Sequence, residues 1–184
     1  MEITAMIETH PFGSFAPPGA TSLLLGSFTA KEAFDPQKKD SYVWFYSTPR
    51  NQFWPIFREV YGARLQAREE MQELFATLGM AIADIIHQCE RRGGSSLDTN
   101  LTNIVYATEE ITQVLENSPI TRIFFTSRWV EARFRRVFKE VINRYPAIEL
   151  VALPSPSPRY ARMSRAQKVD RYKELLPRLA ADEE

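Results

Sequence analysis

Short apolar runs alternate with helix-like segments along the chain, and this alternation most restricts the possible fold. The runs are TSLLLGSF (21–28), ITRIFFTS (120–127) and AIELVALP (147–154). Amphipathic patterns typical of helices occupy residues 51–62, 63–79, 108–118, 129–145 and 165–180. Strands without clean polar alternation, separated by helices, indicate a parallel sheet covered on both faces. The sequence therefore predicts one domain, residues 1–184, with a three-layer α/β/α fold and a short, mainly parallel central sheet.

Local signals set the expected element boundaries. Gly62 and Gly79 close two of the helices, Thr108 caps a third, and Pro177 ends or bends the last one. Residues 80–98 begin like a strand and end in a Gly-Gly-Ser-Ser loop, so their pattern stays ambiguous.

Composition excludes several classes of protein. Cys89 is the single cysteine, which rules out an internal disulfide and suits a reducing cytoplasm. His10 and His87 are the two histidines, so neither a transition-metal site nor a cofactor is expected. No run reaches the roughly 18 apolar residues that a membrane helix needs. We expect a soluble, cytoplasmic monomer that makes no membrane contact.

Charge is unevenly distributed, although its sum is zero. Residues 1–121 carry a net charge of −6, residues 122–178 carry +9, and the acidic tail at 182–184 carries −3. A basic C-terminal third can bind a phosphate backbone. On charge alone, solvated helix faces are the commoner explanation.

Common catalytic templates do not fit. The segment GSFTAKE (26–32) lacks the second glycine and the Gly-Lys-Ser/Thr end of a phosphate loop, and no G-x-G-x-x-G or G-x-S-x-G is present. Ser27, His87 and Asp84 can be combined into a hydrolase triad, but their spacing carries no signal.

Five segments follow one another in an order that has a counterpart in a known family. They are LLLGSF (23–28), FYSTPRNQFWPIF (45–57), GMAIADIIHQCERRGGSSLD (79–98), ITRIFFTS (120–127) and LPSPSPRYA (153–161). Together they resemble the motifs of the uracil-DNA glycosylase superfamily over about residues 10–176. The hypoxanthine-DNA glycosylase branch is the most similar, followed by the mismatch-specific uracil glycosylases.

The resemblance implies a monofunctional DNA glycosylase. Such an enzyme hydrolyses the N-glycosidic bond of a deaminated or modified base, such as uracil or hypoxanthine, that has been flipped out of DNA. Tyr46 would stack on the base and Asn51 would be the catalytic amide, while Gly26, Ser27 and Phe28 would bind the base. The backbone N–H groups of Ser27 and Phe28 would stabilise the charge on the departing base. The plainer alternatives are core packing for Tyr46 and helix capping for Asn51, and the two roles of Asn51 are compatible.

The Ser-Pro loop would contact DNA. By resemblance it is the minor-groove loop, and its contacts would come from Ser155, Ser157, Arg159, Tyr160 and Arg162. Arg159 or Tyr160 would fill the hole that the extruded base leaves.

Some family positions differ here. Ser27, Phe28 and Thr29 stand where many members carry an Asp or Asn that orients the attacking water, and Leu153 stands where family 1 enzymes carry a His. The hypoxanthine branch also lacks the first-motif acid and is thought to rely on the amide at the position of Asn51. Asp84 is a second catalytic candidate.

These departures leave two rival functions open. One is a non-catalytic DNA-binding member of the same fold, and the other is a small-molecule hydrolase that uses Ser27.

Overall fold

The computed structural model describes residues 6–180, which form eight strands and six α-helices. The strands are β1 (Ile7–Thr9), β2 (Ser14–Phe15), β3 (Ser22–Gly26), β4 (Met80–Asp84), β5 (Ile86–Arg91), β6 (Leu101–Tyr106), β7 (Arg122–Phe125) and β8 (Glu149–Ala152). The helices are α1 (Phe53–Tyr61), α2 (Arg68–Thr77), α3 (Thr108–Asn117), α4 (Arg128–Val137), α5 (Lys139–Arg144) and α6 (Arg165–Leu175). The acidic tail at 182–184 lies outside the described residues.

A five-stranded sheet has the order β2-β4-β3-β7-β8. β3 pairs in parallel with β4 and β7, and β7 pairs in parallel with β8, whereas β2 is antiparallel to β4. The three expected strands are therefore present, and they form one parallel unit with β4.

A second sheet departs from the prediction. β1, β5 and β6 form an antiparallel three-stranded sheet that the sequence pattern did not indicate. Its strands β5 and β6 are only half-buried, and their pairing shifts register twice. Polar residues inside such strands weaken the apolar signal, so residues 101–106 went unassigned.

Both faces of the five-stranded sheet are covered by helices. Successive residues of a strand point to opposite faces. Leu23 and Leu25 of β3 pack in one apolar cluster with α3, α4 and α5, and Leu24 packs in another with α1, α2 and α6.

Two predicted helix features are wrong in detail. Residues 129–145 form two helices, α4 and α5, because the backbone leaves the helical region at Phe138. Phe138 stays buried, while Val137, an apolar residue of the same predicted helix, is 37% exposed. Thr108 does not cap α3: Ala107 occupies the capping position and makes no side-chain bond. Glu109 and Glu110 in the first turn suit the positive end of the helix dipole instead.

Removing the ring of Phe57 should lower the free energy of unfolding by about 3–5 kcal/mol, because a large core cavity remains. Phe57 is fully buried, and its ring stacks on Phe53 and Phe75 with centroids 4.4 and 5.6 Å apart. Phe57→Ala and the exposed control Val137→Ala would be compared by denaturant unfolding. Val137→Ala should change stability by about 0.5 kcal/mol or less. Similar small losses in both variants would contradict this assignment of the core.

Candidate active site

The carboxyl ends of β3 and β4 lie side by side and begin the site. Gly26 is paired in register with Asp84, and the Tyr46 hydroxyl lies directly over Gly26. A Cβ atom at position 26 would overlap Tyr46 Oη and Asp84 Oδ1. Glycine is therefore required here, because a side chain would displace both groups.

Asp84 is a buried carboxylate with two side-chain partners. His10 Nε2 donates to Oδ2 at 2.7 Å, and the Tyr46 hydroxyl donates to Oδ1 over a long 3.4 Å. His10 Nδ1 accepts the backbone N–H groups of Phe12 and Gly13, each at 3.2 Å. These bonds fix the tautomer, with the proton on Nε2, so the ring stays oriented toward the carboxylate.

Tyr46 is held in an unusual conformation. Its backbone φ is +60°, which non-glycine residues rarely adopt. Its half-buried ring stacks on Phe53 with centroids 4.3 Å apart, so one ring face is already covered. Burial first, and Asp84 second, raise the pKa of the phenol well above its usual range. The hydroxyl is thus neutral at physiological pH.

Asn51 bonds the first turn of α1 but does not occupy the N-cap position that the helix-cap alternative predicted, because Gln52 stands there. Its Oδ1 accepts the N–H of Phe53, the first helical residue, at 2.9 Å. Its side-chain Nδ2 makes no hydrogen bond within residues 6–180. The half-buried amide therefore keeps two donors for a ligand or a water.

The Ser-Pro loop lies against the start of α1. The Gln52 N–H donates to the Pro156 carbonyl at 2.9 Å. Lys168 Nζ bridges the Gln52 side chain, at 2.9 Å, and the Ser157 carbonyl, at 3.1 Å. The aromatic motif at 45–57 and the Ser-Pro motif at 153–161, which are far apart in the sequence, are therefore in contact.

The first motif is anchored from the antiparallel sheet. Arg91 forms a buried ion pair with Glu8, and its guanidinium also donates to the Thr29 carbonyl at 2.9 Å. The Phe28 side chain is buried and stacks on Phe34, with centroids 6.0 Å apart. Phe28 can therefore serve a ligand through its backbone N–H and not through an exposed ring.

A carboxyl group that the sequence interpretation did not single out lies beside Ser27. Burial raises the pKa of Asp98, and a hydrogen bond from Ser27 partly offsets the rise. Asp98 therefore brings an acidic group to the first motif.

The hydrolase triad does not form. His87 pairs with Glu110 at 2.9 Å, and the buried Asp84 is bonded to His10 and Tyr46. Both groups that Ser27 would need are engaged elsewhere.

The predicted DNA contacts are accessible to different degrees. Ser155 and Ser157 are half-buried, whereas Arg159 and Arg162 are exposed and make no salt bridge within residues 6–180. Tyr160 is partly exposed, and its ring centroid lies 5.5 Å from Lys168 Nζ.

Other arginines of the basic third pair with glutamates, namely Arg122, Arg135, Arg144, Arg165 and Arg171. Solvated ion pairs therefore account for the charge of those five but not for Arg159 and Arg162.

Two residues of the candidate site carried no usable sequence signal. His10 and Lys168 act through side-chain partners 74 and 116 residues away. Arg91 belongs to the motif segment 79–98, but its bond to the Thr29 carbonyl, 62 residues away, was not predictable. A polar residue on a helix or strand normally indicates a solvated face, and only the tertiary fold reveals such partners. Gln52 could have been found, because it follows Asn51 directly within the aromatic motif.

Across residues 6–180, three or more His, Cys, Asp or Glu side chains nowhere group in a way that could hold a metal ion. The helices of this part of the chain are all too short or too polar to cross a membrane.

The fold has a counterpart among solved structures. The solution NMR structure of a putative uracil DNA glycosylase from Methanosarcina acetivorans is similar to this chain, with a TM-score of 0.61 and 20% sequence identity. The match covers 92% of this chain and 98% of that one. The two chains share a fold. No protein-family model and no curated protein matches the chain. At this identity the likeness concerns the fold alone, and it supports the uracil-DNA glycosylase-like fold that the motifs predict.

Tyr42, another aromatic residue near Asp84, should make stability depend on alkaline pH. Burial raises the pKa of its phenol from 10.0 to about 12. The unfolded chain ionises first, so the stabilisation is complete below pH 10 and is lost as the pH rises toward 12. Tyr42→Phe should therefore reduce the fall of unfolding free energy in this window by up to about 1.4 kcal/mol per pH unit.

Denaturant unfolding at several pH values between 10 and 12 would measure this slope. Phe34→Leu is a control, since it alters packing without removing a titrating group. If Tyr42→Phe and the original protein have equal slopes, the phenol is not protected by burial.

Proposed function

We propose that the protein is a monofunctional DNA glycosylase that hydrolyses the N-glycosidic bond of a deaminated or modified base flipped out of DNA. The observation that carries this proposal is the hydrogen bond between the Gln52 N–H and the Pro156 carbonyl. It joins the segment of Tyr46 and Asn51 to the Ser-Pro loop, at the end of a parallel sheet where such folds bind ligands. The fold shared with a putative uracil DNA glycosylase supports the same conclusion.

The proposed chemistry needs few groups. A flipped base loses its stacking partners, and the open face of Tyr46 would replace one of them. The amide of Asn51 would orient the attacking water. The departing base becomes negatively charged, and the backbone N–H groups of Ser27 and Phe28 beside Gly26 would stabilise it. No metal or cofactor takes part in this scheme.

The proposed DNA path runs along the Ser-Pro loop. Ser155, Ser157, Arg159, Tyr160 and Arg162 would contact the phosphates and the minor groove. Arg159 and Arg162 suit this role because they are exposed and have no carboxylate partner within the described chain. We place the protein in the cytoplasm as a soluble monomer with a three-layer α/β/α fold.

One observation favours the rival function, a DNA-binding member that does not cleave. Asn51 Oδ1 is already bonded to the Phe53 N–H, and the first motif itself holds no Asp or Asn.

A panel of duplexes, each with a single uracil, hypoxanthine or xanthine, would discriminate between the glycosylase and the non-cleaving DNA-binding protein. Formation of abasic sites on any of them supports the glycosylase. Binding without abasic sites supports the rival. Uracil and hypoxanthine come first in the panel, because the motifs resemble those branches most.

Asn51 should be essential for base release beyond its role as a cap. Asn51→Ala should lower the single-turnover rate by about 100-fold or more, with a much smaller effect on DNA binding. Asn51→Ser is the matched control, because serine also caps helices but carries no amide. Asn51→Ser should recover the free energy of unfolding that Asn51→Ala loses, while base release stays slow. A near-normal rate in either variant would mean that Asn51 is only a cap.

Tyr46 should act through its ring and not through its hydroxyl. Tyr46→Ala should slow base release roughly 10-fold or more, since stacking contributes about 1–3 kcal/mol per base. Tyr46→Phe should retain most of the rate, because stacking uses the face of the ring and not the hydroxyl. Single-turnover rates on the best substrate would measure both. Equal damage from the two substitutions would overturn the stacking role.

A further inference from the structure

Lys168 of α6 is a buried lysine that has no carboxylate partner among residues 6–180. The residue is 1% exposed. Its ammonium donates to Gln52 Oε1 and to the Ser157 carbonyl, and it lies against the ring of Tyr160. Burial lowers the pKa of its ammonium. Lysine is rarely buried in this way unless it is paired with an anion.

The two hydrogen bonds do not by themselves explain the charge. A neutral donor could make both bonds without the cost of removing an ammonium from water. An apolar side chain could fill the same volume. The positive charge is therefore the feature that needs a reason.

The neighbouring loop is arranged to accept an anion. Ser155 Oγ accepts the N–H of Ser157 at 3.2 Å, and Ser157 Oγ accepts the N–H of Arg159 at 3.3 Å. Each hydroxyl therefore keeps its hydrogen for another acceptor. The carbonyls of Pro154, Pro156 and Ser157, which would repel an anion, are bonded to Tyr172, Gln52 and Lys168.

We propose that Lys168 is a positioning residue for DNA, and that its buried ammonium complements one backbone phosphodiester bound by the hydroxyls of Ser155 and Ser157. This inference rests on the proposed function, because that function supplies the DNA. Lys168 holds the loop in its binding shape through Ser157 and Gln52. It also supplies a positive charge beneath the phosphate.

The test measures binding of a short fluorescein-labelled duplex of unmodified bases, between about 50 and 200 mM salt. Lys168→Gln and Lys168→Met should each reduce the log–log salt slope by roughly one unit. Binding at 0.1 M salt should be roughly eightfold weaker, since each lost phosphate contact contributes about 0.9 to the slope. Lys168→Arg should keep the slope, because it keeps the charge. Lys173→Gln, an exposed lysine of the same helix, is the matched control and should change the slope far less.

Stability separates this role from a purely structural one. Lys168→Met loses two hydrogen bonds but also removes the cost of a buried ammonium, so it should fold with a stability close to that of the original protein. A Lys168→Met protein that is markedly destabilised but keeps the original salt slope would overturn the proposal. So would an equal loss of slope in Lys168→Gln and Lys173→Gln. If neither neutral variant folds, Lys168 is structural and the proposal is wrong.

Base release on the panel of modified duplexes is scored separately. Base release with an unchanged salt slope in the Lys168 variants would remove this inference and leave the glycosylase standing. A reduced salt slope in the Lys168 variants, together with no base release by the unsubstituted protein, would support the role of Lys168 in DNA binding and contradict the glycosylase function.

Discussion

The buried carboxylate of Asp84 is the constraint on which the arrangement of the site depends. A carboxylate at the end of a buried strand needs hydrogen-bond partners, because an unsatisfied one would be very costly. It obtains them from His10, which lies 74 residues away, and from Tyr46. Both partners are therefore drawn to the end of β4, next to Gly26. Tyr46 adopts a left-handed backbone conformation at this position, and its ring stacks on Phe53.

A second set of bonds fixes the other side of the site. Carbonyls of the Ser-Pro loop are bonded to α6 and to the start of α1, so the loop has little freedom to lose when it binds a ligand. The first motif is fixed in the same way by the ion pair of Arg91 with Glu8. The segment of Tyr46 and Asn51, the first motif and the Ser-Pro loop are thus all held in place by bonds to neighbouring elements. Preorganisation of this kind suits chemistry in which the protein supplies mainly placed donors.

The sequence predicted those parts of the fold that have a strong local signal. The runs that became β3, β7 and β8 are apolar on both faces, and α1 ends at Gly62 as expected. The antiparallel sheet was missed because its half-buried strands mix polar and apolar residues. The break at Phe138 was missed because the apolar pattern continues across it.

The candidate site shows the same contrast between local sequence signals and contacts that form only in the folded chain. Gly26, Tyr46, Asn51 and the Ser-Pro loop could be singled out as candidates because they belong to compact motifs that can be compared with a known family. His10 and Lys168 were not found, since each acts through a contact between distant segments. Asn51 shows the intermediate case, because its capping bond is local and predictable while any contact with a base is not.

The missing side chain at Gly26 also limits how the sequence can drift over evolutionary time. Any larger residue there would occupy the volume that the Tyr46 hydroxyl fills, whereas a Cβ atom at Gly94 would meet nothing within 4 Å. Position 94 can therefore vary independently, but positions 26, 46 and 84 form a coupled set, because a Cβ atom at 26 would also overlap Asp84 Oδ1. A lineage that enlarges residue 26 must also replace the side chains at 46 and 84. Natural variants of this chain should thus change at the three positions together.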